Sequence, residues 1–324
     1  MKKYILFTVC FFGGIGLAFC TNSLPMANVK LRVIDDAGSP VQDAFAHVAF
    51  EVPVNAQNRD YLKRKEAKTD KNGYFQTSEI CTGIIYYGAS KEGYYESTGN
   101  RFDYKFDVAK MRWNPSSPEL IVLMKRVINP VPMYVREIVL RIPDTDKDIG
   151  YDLEKGDWVM PYGQGLRADF VFHARCRWTS YQDYYSVVKI KFSNFRDGIQ
   201  EIPKTNASKG QLASPQLAPE DGYTEVWINE RGQGPQTKRT GLNVMNSNYK
   251  DYIFRVRSNI NDEGEITAAN YGKIIGEIRV GGGEAEGKPI LKFLYYYNSD
   301  PQSRSLEFDP KQNLAKEQKC NFPP

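Results

Sequence analysis

Three aspartates recur at alternate positions in Asp144-Thr145-Asp146-Lys147-Asp148. That spacing lets carboxylates converge on one hard cation such as calcium. The calcium-loop template then needs Gly where Ile149 stands and Glu where Lys155 stands. Asp144, Asp146 and Asp148 are thus a calcium candidate whose competing reading, a solvated acidic loop, fits the residues better. His47 and His173 are the only histidines, and each sits in a strand-like run. His173 alternates against Phe172, which places it on an outer sheet face, without the enclosure a general base needs. No serine lies in a Gly-x-Ser-x-Gly elbow. The carboxylate pairs Asp35-Asp36 and Glu284/Glu286 read as turn and loop residues. Gly281-Gly282-Gly283 lacks the Gly-Lys-Ser/Thr of a phosphate loop. No CxxC or Cys/His spacing offers a zinc site. The residues therefore name no catalytic group and no cofactor, calcium apart.

Aromatic side chains are the remaining candidates for recognition. Trp158, Trp227, Tyr295 and Tyr297 could stack on sugar rings if exposed on a flat sheet, as could Tyr184 and Tyr185. Strand neighbours face opposite sides, so Tyr295 and Tyr297 share one face. If that face is core, Tyr296 is the one exposed.

The elements that must position these residues are strands. The 324 residues suggest two domains, and 41% apolar with 25% charged residues is a globular composition. Net charge is +4, with no basic run of five or six residues. That absence argues against a nucleic-acid partner. Lys2 and Lys3 precede an uncharged apolar stretch from Tyr4 to Phe19, too short to span a membrane as a helix. Residues 1–19 read as a signal peptide, and the chain is expected to be exported, in the periplasm, anchored to the outer membrane or at the cell surface. Gly16-Leu17-Ala18 suits cleavage before Phe19. Leu17-Ala18-Phe19-Cys20 resembles a bacterial lipobox in which Cys20 would carry a lipid anchor, although Phe19 departs from it. Export permits disulfides, but the five cysteines do not fix a pairing.

Residues 29–34 alternate apolar and polar as a half-buried strand does. A turn at 35–38 follows, then a second strand over 44–52. Asp70-Lys71-Asn72-Gly73 is a turn that requires its glycine, and strands follow over 83–89 and 120–124. Residues 106–113 are expected as one short helix, and 55–68 as a long charged connection. Residues 128–133, with Pro130 and Pro132, read as a linker. Further strands are expected at 134–142, 167–176, 185–192, 223–228, 252–256, 271–280 and 290–297. Residues 201–219 read as an exposed loop and 310–324 as an irregular tail.

Val33-Ile34-Asp35-Asp36-Ala37-Gly38-Ser39-Pro40-Val41 resembles the opening of carboxypeptidase-regulatory-like domains. Thr69-Asp70-Lys71-Asn72-Gly73-Tyr74-Phe75 is similar to their second signature and Lys91-Glu92-Gly93-Tyr94 to their third. The resemblance covers about a third of the chain. It implies a small accessory sandwich of immunoglobulin or prealbumin type at 29–127, and no protease activity. The remainder resembles uncharacterised bacterial exported proteins at 156–170 and 304–309, which implies no function. The expected architecture is all-β: two sandwiches, 29–127 and 134–309, the second antiparallel and without an active-site cleft. The expected function is an exported, non-catalytic binding or adhesion protein of the cell envelope, with a glycan or protein partner. The alternatives are a structural or assembly component, and an enzyme of unrecognised type in the second domain.

Overall fold

The computed structural model describes residues 24–53, 61–145, 147–180, 182–202, 212, 214–234, 250–281, 289–318, 322 and 324. Among them there are strands, turns and bends but no helix. The protein is all-β. It forms two compact units: one holds the chain up to Ile34 with Pro40–Ala89 and Gly99–Val122, the other Asp35–Ser39, Ser90–Thr98 and Leu123–Pro324.

The first unit is built from β1 (Met26–Asp35), β2 (Phe45–Glu51), β3 (Leu62–Lys68), β4 (Tyr74–Ile80), β5 (Ile84–Ser90), β6 (Ser97–Asp103), β7 (Lys105–Asp107), β8 (Arg112–Asn114) and β9 (Glu119–Met124). The sheets are ordered β4-β1-β9 and β3-β2-β5-β6, with β7-β8 a separate hairpin. Period-two alternation buries Ala27, Val29, Leu31 and Val33 of β1 against Ala46, Val48 and Phe50 of β2. Gly73 closes the β3–β4 turn at φ +77°, where Asp70 Oδ1 accepts the Asn72 and Tyr74 N–H groups at 2.9 and 2.8 Å. A Cβ there would lie 2.4 Å from the Val33 carbonyl oxygen.

Two expectations fail in this unit. Residues 106–113 form the β7–β8 hairpin, not a helix: Met111 takes φ +49°, and Trp113 is buried with its Nε1 donating to the Pro25 carbonyl at 3.0 Å. The charged stretch before Thr69 is not all connection. Its second half is β3, paired residue for residue with β2.

The second unit comprises β10 (Val131–Arg141), β11 (Asp148–Asp152), β12 (Asp157–Trp158), β13 (Phe170–Ser180), β14 (Asp183–Phe192), β15 (Gly198–Ile202), β16 (Val226–Gln233), β17 (Asp251–Ile260), β18 (Ile266–Gly281), β19 (Ile290–Asn298) and β20 (Phe308–Asn313). A six-stranded sheet, β15-β17-β18-β19-β10-β20, packs on a five-stranded one, β12-β11-β13-β14-β16. The core lies between them. Phe170, Phe172, Val188 and Ile190 face it from one sheet, and Ile138, Phe254, Phe293 and Tyr295 from the other. Phe192 sits half-buried at its margin. The strands pair antiparallel, except that β20 runs parallel to β10.

That exception corrects the tail. Phe308 and Phe322 cover the far face of the six-stranded sheet, packing with Met133, Val135 and Tyr296. Tyr296 is therefore fully buried, not the exposed member of its triplet. Both faces of this sheet need cover, and the chain's last segment supplies it. Residues 131–133, expected as linker, are the first of β10, where the Val131 N–H donates to the Glu307 carbonyl. Leu212, Ser214 and Ala218 are buried too, so the stretch read as an exposed loop is not exposed throughout.

Candidate functional site

At one end of the second sandwich, β17 leaves regular pairing with β18 after Val256. Arg257 adopts φ +57°, a conformation that costs any residue with a Cβ free energy and persists only when its surroundings fix it. Asp197 does so. Its Oδ2 accepts the Arg257 N–H at 2.8 Å and its Oδ1 the Ser258 N–H at 3.0 Å. Two backbone donors released from the ladder are thus satisfied, as buried N–H groups must be.

The Arg257 guanidinium makes a bidentate pair with Asp169, Nε to Oδ1 at 2.8 Å and Nη2 to Oδ2 at 2.9 Å. Its Nη1 reaches Glu154 at 2.9 Å, and it lies 5.3 Å from the Tyr297 ring centroid. Asp169 also accepts the Leu153 N–H. Burial pushes the Asp169 carboxyl up, against the pull of Arg257. Burial likewise raises Asp197, opposed by its donors from Ser258 and Arg257. Arg257 is held above its ordinary value: burial opposes its charge, but Asp169 and Glu154 outweigh it. Beneath them Asp152 accepts four backbone N–H groups, from Glu154, Lys155, Leu166 and Arg167. Burial opposes its charge, yet those donors hold the carboxyl below its usual value.

This frame opens on a cavity of about 590 Å³ whose lining includes Arg167, Asp169, Asn194, Asp197, Arg257, Asn259 and Asn270. Asn270 is itself fixed, donating to the Asn298 carbonyl at 3.1 Å. The loops that supply Arg167 and Asn194 also carry Leu166 and Phe195, which are 75% and 66% exposed. The site thus joins fixed polar walls to apolar side chains on its bordering loops. It offers hydrogen-bond geometry more readily than proton transfer, because Asp169 is occupied by Arg257 and Asp197 by backbone.

The aromatic candidates fall elsewhere. Trp158, Trp227, Tyr295 and Tyr297 are all buried in the core between the sheets. This corrects their reading as a recognition surface: each occupies a core-facing strand position where a large ring fills the inter-sheet space. Tyr295 also donates its hydroxyl to the Leu153 carbonyl at 2.6 Å, and burial raises its phenol to about 12.

Asp144 pairs with Lys147 at 2.6 Å, while Asp148 lies between His173 and Lys191 at 3.0 and 2.6 Å. The two carboxylates are committed to different cations. Among the described residues no group of three or more His, Cys, Asp or Glu side chains is placed to hold a metal. Asp146 lies outside the described residues, as do Cys20, Gly282, Gly283, Glu284 and Glu286. His173 is on the outer face of its sheet, as its parity requires, and away from the cavity. His47 is half-buried, with burial lowering its pKa. Cys81 and Cys176 are free thiols. The expectation of a second module without an active-site cleft did not anticipate this cavity. Sequence reasoning missed it because Asp169, Asp197 and Arg257 are distant in the chain. The available signal was a charged residue beside or within an apolar run at Asp169 and Arg257; Asp197 stands in a polar turn and carried none.

No protein-family model and no curated protein matches the chain. Solved structures resemble it at low identity. The major pilin subunit BcpA of Bacillus cereus is 13% identical, covering 83% of this chain and 95% of its own, at a TM-score of 0.23. A DUF3823 family protein from Bacteroides ovatus is 8% identical, with 78% and 97% covered, at 0.21. The 3-chlorocatechol 1,2-dioxygenase of Rhodococcus opacus is 13% identical over 32% of this chain, at 0.26. The chain spans 60% of that dioxygenase, 54% of an Acinetobacter catechol 1,2-dioxygenase and 52% of a streptococcal ancillary pilin.

Proposed function

We propose that the protein is an exported, non-catalytic binding protein of the bacterial cell envelope, and that its second module takes a neutral saccharide unit of a glycan in the cavity beside Arg257. The supporting observation is the lining. Its charges balance in number, Arg167 and Arg257 against Asp169 and Asp197, with Arg257 paired to Asp169. The side-chain amides of Asn194 and Asn259 are the natural partners of hydroxyl groups beside Asn270, one of whose N–H groups is held by the Asn298 carbonyl. Small-ligand sites combine such fixed polar groups with apolar contact, here from Ala168 and Pro301 of the lining. Residues 29–127, with their resemblance to carboxypeptidase-regulatory-like domains, act as the accessory sandwich, and 134–309 as the binding module. Residues 1–19 direct export, and Cys20 is the residue a lipid anchor would use.

A glycan array with the full chain, repeated with Asn259→Ala, tests this reading. Binding of a neutral glycan that the variant loses supports it. No binding across the array refutes it. The enzyme alternative rests on the two carboxyls in the wall, since glycoside hydrolysis uses such a pair. Turnover of a bound glycan, lost in Asp197→Asn, would favour that alternative.

A further inference from the structure

The outer face of the five-stranded sheet carries a charge pattern invisible as a run in the sequence. Phe170, Phe172 and Ala174 of β13 point into the core, so His173, Arg175 and Arg177 point outward. On β14, Val188 and Ile190 point inward and Lys189 and Lys191 outward. The register sets Lys189 beside His173 and Lys191 beside Val171. Next to them on β16 stand Val226 and Ile228, opposite Lys191 and Lys189 and 42% and 53% exposed. Arg175 and Arg177 are exposed as well. Four permanent cations therefore share one face with three acids: Asp148, held by Lys191 and His173, Glu230, opposite Val187, and Asp183, of the same parity at the far end of β14.

We infer that this face is a docking surface for a linear acidic polysaccharide. The cations stand at four successive outward levels, Arg177 and Arg175 on β13 and then Lys189 and Lys191 on β14, about 6.6–6.8 Å apart along the strands, so the two pairs lie end to end in one staggered line. A protein partner would be expected to meet an apolar centre ringed by charge. Here the charge is central and the apolar strip of Val226 and Ile228 lies to one side, placed to meet the C–H faces of sugar rings. Single-stranded nucleic acid is held on aromatic platforms, and among the described side chains of these two strands the one outward-facing aromatic is the half-buried Tyr185. Arginine forks match carboxylates. The site is separate from the cavity, whose lining shares no residue with it.

Titrating the full chain with polygalacturonate, and with its methyl-esterified, uncharged form, tests the inference. Polygalacturonate should bind, more weakly as salt rises, and the ester should not. Each exposed ionic contact is worth about 1.4- to 5-fold in affinity. Arg175→Glu with Arg177→Glu should therefore weaken binding by about tenfold or more. Arg175→Lys with Arg177→Lys, which keeps the charge, should stay within about threefold of wild type. An unchanged unfolding midpoint establishes that the reversed variant is folded. The inference is overturned if the ester binds equally, if charge reversal has no effect, or if anionic phospholipid vesicles or oligothymidylate bind more tightly. Asn259→Ala should leave polygalacturonate binding intact. Its loss there would place the polyanion in the cavity and overturn the inference as well.

Discussion

Lys273 gives the sharpest test of how the second module is packed. It lies in β18 between Ile253 and Tyr296 and is completely buried. Its Nζ donates to Ser214 Oγ at 3.2 Å and sits 4.8 Å from the Tyr296 ring centroid. Lys125, donating to the Ser214 carbonyl at 2.8 Å, faces it as a like charge; Asp251 and Glu307 attract it from further away. Burial, then Lys125, pushes its pKa down to about 7 from 10.5. The unfolded chain thus binds a proton more tightly than the fold. Stability must rise with pH between about 7 and 10.5, and below 7 the full cost of about 5 kcal/mol is present. From pH 7 to pH 9 the gain is about 2 kcal/mol. Lys273→Met keeps the chain length and removes the charge. Urea unfolding of both proteins at pH 6.5, 7.5 and 9 should show the variant more stable at low pH, with an advantage shrinking by about 2 kcal/mol at pH 9. An advantage independent of pH would refute the reasoning, whatever its size.

Three further perturbations separate the parts of the fold. Gly73→Ala places a Cβ 2.4 Å from the Val33 carbonyl at φ +77° and should lose about 1 to 3 kcal/mol in denaturant unfolding of the first unit. Arg257→Met leaves Asp169 buried without its guanidinium and should lose about 3 to 5 kcal/mol; the loss should diminish in acid as the carboxyl protonates. Phe308→Ala uncovers Tyr296 and should lose about 3 to 5 kcal/mol, with tryptic cleavage near Lys311 accelerated in the native protein.

The strands were legible where one face is core and the other solvent. Residues 29–34 and 185–192 alternate cleanly, and both are strands. β3 was not legible because Leu62–Lys68 has no buried face; every member is exposed or half-exposed, so no apolar period marks it. The 106–113 hairpin was missed because its two strands are three residues each, shorter than either period can register. The aromatic candidates failed for a different reason. Alternation assigns Tyr295 and Tyr297 to one face but cannot say that this face packs on the five-stranded sheet, nor that Phe308 and Phe322, which arrive later in the chain, cover Tyr296 on the other. The cavity was beyond reach for the same reason, its charged walls coming from three separate segments.

Those failures share a physical logic that bears on function. In the second unit the large rings are consumed by packing: Tyr151, Trp158, Phe170, Phe172, Phe293 and Tyr295 form one network of mostly edge-to-face contacts. Recognition on this scaffold must therefore come from where packing ends. One such place is the margin of the sandwich, where β17 breaks its ladder and Asp197, Asp169 and Arg257 hold one another rigid. The other is the outer sheet face, where period-two alternation that serves the core on one side delivers cations to the other. A ligand-binding wall needs side chains whose geometry is fixed before the ligand arrives. Asp152, with four backbone donors, and Asp169, with three, are fixed by the fold itself. The same donors that immobilise these carboxylates occupy the oxygens a proton transfer would need, which supports the binding role proposed above over a catalytic one.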